Sequence, residues 1–171
     1  MNEKPEHMDF LRDNAEYFIA SFDTTQSYSH VFKMQLLIKE DKIKRTFWIR
    51  KIIINGKHDF ILVGDGRDVR KGILRFWVYI IGSPHDAKNY ACTLSVNGKD
   101  GNKYTYYGHV KPLDEGPLDI IAKQSVFMIG TEIAKNSRDE NLEWQMEVTI
   151  HALKQEAKDK DEESGVEDGS D

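Results

Sequence analysis

Apolar and polar residues alternate strictly over 142–150. Leu142, Trp144, Met146, Val148 and Ile150 fall on one parity, and Glu143, Gln145, Glu147 and Thr149 on the other. A period of two marks a half-buried antiparallel strand, because successive side chains of an extended chain point to opposite faces. The same rule places Tyr90, Cys92, Leu94 and Val96 inside, with Thr93 and Ser95 outside. Short segments at 17–22, 30–38, 45–54, 58–63, 73–81, 103–110 and 125–129 read as further strands. Turn chemistry separates several of them: Asn55-Gly56 fits a tight hairpin, Asn97-Gly98 with Asp100-Gly101 a longer one, and Gly64-Asp65-Gly66 another loop.

Helical signals are few and short. Pro117 suits the first position of a helix over 117–123, Thr131 is placed to cap another over 132–137, and a third is predicted over 6–15. Many short strands with two or three minor helices predict an all-β fold, an antiparallel β-sandwich rather than a wound α/β sheet. The chain divides accordingly into an N-terminal extension (1–16), the sandwich (17–152) and an acidic tail (153–171). The tail is almost devoid of apolar residues past Gln155, and such a composition cannot repay the entropy of ordering, so disorder is predicted there.

Composition narrows the functional classes. The 171 residues suffice for one domain, and 39% hydrophobic with 11% aromatic residues supply a core. A charged fraction of 31% and a mean hydropathy of -0.60 predict a soluble chain. Residues 155–171 hold eight acids against two lysines, a net -6, so residues 1–154 carry +1 of the chain's formal -5. A nearly neutral folded part makes nucleic acid an unfavoured partner. No apolar run approaches the ~20 residues that span a bilayer and no signal peptide is evident, so no membrane partner is expected. Cys92, the single cysteine, cannot form an internal disulfide and fits a reducing compartment, cytoplasmic or nuclear. Ser164, with Glu167 three residues on, fits an acid-directed kinase, although an exposed serine in a solvating tail is the plainer reading.

Candidate chemistry is sparse. The six histidines (His7, His30, His58, His85, His109 and His151) lack the spacing of a zinc motif, so neither metal nor cofactor is expected. His58-Asp59 and His85-Asp86 are adjacent pairs whose side chains diverge on a strand, and no nucleophile elbow is present. Cys92 lies on the apolar parity and reads as a core thiol. One segment stands out. In Arg45–Ile54 the odd positions Phe47, Ile49 and Ile53 form an apolar face interrupted by Lys51, which leaves Thr46, Trp48 and Arg50 opposite. A large aromatic between polar neighbours is either an anchor for a bound peptide or, with Ile52 and Ile54, part of a surface covered by a loop.

The run Ile81-Gly82-Ser83-Pro84-His85-Asp86-Ala87-Lys88-Asn89-Tyr90-Ala91-Cys92-Thr93-Leu94-Ser95-Val96-Asn97-Gly98 resembles the substrate-binding domain of the seven-in-absentia (SIAH) E3 ubiquitin ligases. There an Ile-Gly is followed at the same intervals by Ala, Asn, an aromatic, Ala, Leu and Asn-Gly. Glu115-Gly116, the strand from Ser125 to Ile129, Thr131-x-Ile133-Ala134 and the ending Leu142–Ile150 follow in the family's order, and Trp48 and Gly56 are similar in spacing to a Trp and a Gly of the family. The likeness covers about 45–151 and extends to the cysteine- and histidine-rich proteins with TRAF-type zinc fingers.

The resemblance implies an eight-stranded antiparallel TRAF-like β-sandwich, a homodimer, that captures an extended peptide of a target protein along a sheet edge. Trp48 then matches a groove residue, with Thr46 and Arg50 beside it, and Arg50 stands where the family has an apolar residue. That departure points to a more acidic ligand. Ligase activity in the family belongs to a RING and zinc fingers built from Cys and His clusters, which this sequence lacks, so the chain is expected to be non-catalytic by itself. Two other readings stand beside it: a structural homodimerisation module, and a small-ligand or carbohydrate-binding sandwich. Tyr104, Tyr106 and Tyr107 would supply the stacking surface of the latter, although Tyr104 and Tyr106 fit the core better.

Overall fold

The computed structural model describes residues 16–20, 27–35, 38–39, 42–43, 47–54 and 58–153, with side chains over 27–33 and 58–153. The predicted helix at 6–15, the Asn55-Gly56 turn and the tail with Ser164 lie outside the described residues. Its strands are β1 (Glu16–Ala20), β2 (Tyr28–Gln35), β3 (Ile38–Lys39), β4 (Lys42–Ile43), β5 (Phe47–Ile54), β6 (Asp59–Asp65), β7 (Ile73–Ile81), β8 (Tyr90–Asn97), β9 (Lys103–His109), β10 (Lys111–Pro112), β11 (Phe127–Gly130) and β12 (Glu143–Ala152). Three short helices interrupt them: α1 (Pro84–Ala87), α2 (Pro117–Ala122) and α3 (Thr131–Asn136).

The chain is an all-β sandwich of two sheets. One sheet has the order β1-β5-β6-β7, with β10 and β11 both on the far side of β7; the other runs β2-β12-β8-β9. Eight strands make antiparallel pairs within these sheets, while β1 joins β5 and β10 joins β7 in parallel. Among the described residues β3 and β4 pair only with each other.

Between the sheets lies the main core. Trp144, Met146, Val148 and Ile150 of β12 and Cys92, Leu94 and Val96 of β8 pack against Phe60 and Leu62 of β6 and Phe76, Val78 and Ile80 of β7. The alternation read from β12 and β8 is thus the pattern of one buried face. β6 and β7 differ because they are covered twice: Ile61, Val63, Trp77 and Tyr79 on their outer face are buried against Leu113, Ile120 and Val126 from the α2 segment. Strands buried on both faces lose polar alternation, which accounts for the unbroken apolar runs Phe60–Val63 and Phe76–Ile81.

Local chemistry fixes the ends of the elements. Asp65, 1% exposed, accepts from the Arg67 backbone N–H at 2.9 Å and pairs with its guanidinium through Nε at 3.0 Å and Nη2 at 2.8 Å, which satisfies a carboxylate that would otherwise be costly to bury. Gly72, at φ 80, occupies the left-handed conformation after the 3-10 turn Val69–Lys71, and its carbonyl accepts from the Thr131 N–H. Ser83 and Asp86 form a reciprocal capping box at α1, signalled by Ser-Pro-x-Asp but missing from the predicted helices.

Three expectations require correction. Leu142 precedes β12, has φ 60 and is 40% exposed, because the turn built on the Asp139 carboxylate ends there. Ser95 is buried despite its outward parity, covered where its hydroxyl meets that of Thr105 at 3.2 Å. Thr131 is the first residue of α3 rather than its cap; Gly130 holds the cap position.

Leu94 is fully buried between the sheets, so truncation leaves a cavity that this close-packed layer fills incompletely. Leu94→Ala is expected to cost about 2–5 kcal/mol of unfolding free energy in urea denaturation, with an unchanged m-value.

Candidate functional site

The candidate site rests on β5, whose position depends on its neighbours. β6 pairs with it antiparallel from Phe47↔Asp65 to Ile53↔Asp59, setting Trp48 opposite Gly64 and Arg50 opposite Leu62. Cross-strand partners share a face of a sheet. The even register positions of β5 therefore share the side of Phe60 and Leu62, which face the second sheet, and the odd ones share the side of Ile61 and Val63. At β6 and β7 this sheet has packed layers on both sides. Thr46 lies outside the described residues, and of Trp48 and Arg50 the strand backbone is described.

The other side of β5 holds the unexpected feature. β1 pairs with it in parallel from Glu16↔Arg50 to Ala20↔Ile54. β5 is therefore not an edge strand over Arg50–Ile54, and β1 takes the edge there. Over Phe47–Ile49 no strand among the described residues pairs on that side. The segment 17–22 reads as a strand in the sequence, but a parallel partner some thirty residues away leaves no local signal.

The second sheet has edges at β9, which among the described residues pairs with β8 alone, and at β2, which pairs with β12 alone. Tyr104 and Tyr106 point inward and pack on the main core, with Tyr106 stacked on Phe127 at 6.3 Å. Gly108 makes room for that ring, since a Cβ there would overlap the Tyr106 hydroxyl. The tyrosine platform expected of a carbohydrate site is therefore split: Tyr107 alone stands out, 62% exposed, beside His151 at 5.9 Å. Met128 of β11, 50% exposed, adds an apolar group at the margin of the other sheet.

The histidines meet partners that spacing does not reveal. His151 holds the Ser27 hydroxyl at Nδ1, 2.7 Å away, and the Thr93 hydroxyl at Nε2, 2.8 Å away. With a hydroxyl on each ring nitrogen the imidazole has no carboxylate to orient it as a general base, and its bonds tie β12 to β8 and to the start of β2. His58 approaches Asp86, at 3.7 Å, rather than its sequence neighbour. Among the described residues no group of three or more His, Cys, Asp or Glu side chains is placed to hold a metal, and no helix is long and apolar enough to cross a membrane.

Two buried groups complete the chemistry. Burial pushes the Cys92 thiol up to about 12, which disfavours the nucleophilic thiolate. Lys111 is buried at the sheet margin, its Nζ donating to the Ser125 hydroxyl at 2.8 Å, and burial lowers its pKa. No protein-family model matches the chain, and no curated protein is significantly similar to it.

A lysine whose folded pKa is depressed contributes stability at high pH and loses it as the pH falls through the folded value, where the buried amine must carry charge. Wild-type stability is therefore expected to gain from deprotonation of Lys111 as the pH rises from neutrality to about 10. Lys111→Met removes that component. Urea midpoints across the range should diverge less from one another in the variant; an unchanged pH profile would show that Lys111 is solvated.

Proposed function

We propose that this chain is a peptide-recognition domain, non-catalytic by itself, that binds an extended segment of a partner protein by adding it as a strand to the rim of its sandwich. The observation that carries this reading is β1: the rim of β5 already holds a five-residue extended segment in continuous register. Unpaired N–H and C=O groups of a sheet edge give sequence-tolerant affinity to an added strand, and flanking side chains select among segments. The resemblance to the SIAH substrate-binding domain supports the same reading and brings with it a TRAF-like relationship, a homodimer and a place in substrate selection for ubiquitin ligation. In that reading Thr46, Trp48 and Arg50 line the site, Trp48 as the aromatic anchor.

A second reading places recognition at β9. Its support is the exposed Tyr107 of β9, an edge strand among the described residues, together with the exposed Met128 on β11 of the other sheet.

Display of random extended peptides to the full chain separates these readings. Peptides enriched on the wild-type protein should lose about 2 kcal/mol of affinity on Trp48→Ala with the cooperative melt retained; loss of the melt would place the ring in the core on the side of Phe60 and Leu62 and overturn its role as anchor. Arg50→Glu should weaken acidic peptides in a manner that fades at high salt. Loss of the same peptides on Tyr107→Ser with Met128→Ser, but not on Trp48→Ala, would move the site to β9. Enrichment of no peptide would overturn strand addition altogether.

A further inference from the structure

We propose that β1 is an internal ligand of the recognition edge: it occupies the site in the resting chain and is displaced by a partner segment of the same chemistry, an acidic residue followed by bulky apolar ones. This rests on the strand-addition reading and specifies what that site takes.

Four observations support it. β1 lies at the outer limit of its sheet and packs against β5, with no comparable contact to any other element among the described residues. It pairs in parallel whereas β5, β6 and β7 pair antiparallel, and parallel ladders are slightly weaker per residue. It covers only Arg50–Ile54, so an incoming strand could begin pairing at Phe47–Ile49. Its sequence, Glu-Tyr-Phe-Ile-Ala, lacks the lysine or proline that commonly guards an edge strand.

Register supplies the specificity. Glu16 is the register partner of Arg50, the position whose positive charge departs from the apolar residue of the SIAH domains that the sequence resembles. An acidic residue of the ligand facing Arg50 is what the electrostatics of this edge favours, and β1 places one there. Tyr17, Phe18 and Ile19 follow beside Lys51, Ile52 and Ile53. A partner segment with the same order, acid then aromatic and aliphatic, would reproduce the ladder and set an acid at the register position of Arg50. Because β1 is tethered, it competes at high effective concentration, and a ligand's apparent affinity falls by the fraction of time the edge is free.

The test uses a fluorescent peptide spanning residues 14–22 and the full chain in three forms. The wild type should bind it weakly. Phe18→Pro, which breaks the β1 ladder, should bind it about tenfold more tightly or better. A clamp made from Tyr17→Cys with Lys51→Cys, which are register partners, should block the peptide when oxidised and admit it when reduced; buried Cys92 does not compete. A peptide carrying Glu16→Lys should bind poorly to Phe18→Pro and recover when Arg50→Glu is added. Equal binding by oxidised and reduced clamp, or loss of the cooperative melt in Phe18→Pro, would overturn the proposal, the latter by making β1 part of the fold. Display-selected peptides that depend on Trp48 but ignore the clamp would leave peptide recognition standing and remove only β1 as its competitor.

Discussion

Every N–H and C=O of a strand must be paired or solvated, and a sandwich meets this demand everywhere except along its rims. In this molecule the interior strands β6, β7, β8 and β12 are paired on both sides. The apolar layers between and outside the sheets then fix each of these strands in register. What is left open among the described residues is the outer margin of each sheet, and these margins differ. Among the described residues β9 pairs with β8 alone and β2 with β12 alone, while β5 is half covered by β1. The proposed recognition rests on how these rims are filled.

Much of this architecture is legible in the sequence, and the reason is burial geometry. β12 and β8 have one buried face each, so their alternation reads directly. The runs at β6 and β7 announce strands but conceal which face is inner, because the α2 segment buries Ile61, Val63, Trp77 and Tyr79 on the side that would otherwise be polar. The same ambiguity passes to β5. A period-two pattern identifies two faces there, but only the register with β6 shows that the side of Trp48 and Arg50 is shared with Phe60 and Leu62.

The candidate site was less legible for a related cause. Contacts such as His58 with Asp86 and His151 with Ser27 and Thr93 join residues remote in sequence, and adjacency suggested other pairs. The parallel union of β1 with β5 is the extreme case, since neither segment carries any mark of the other except the opposite charges of Glu16 and Arg50. Those charges acquire meaning only through register. Arg50 alone suggested an acidic ligand, and β1 brings an acid to that position from within the chain.

If β1 is a resident ligand rather than a structural strand, the stability of its ladder must be uncoupled from that of the sandwich. Native-state hydrogen exchange on the unmodified chain measures this directly. The amides of Arg50–Ile54 that face β1 should exchange through a local opening of low free energy, while those joining β6 to β7 exchange only with global unfolding. Exchange of both sets with the same free energy would contradict the account and make β1 an integral strand of the fold.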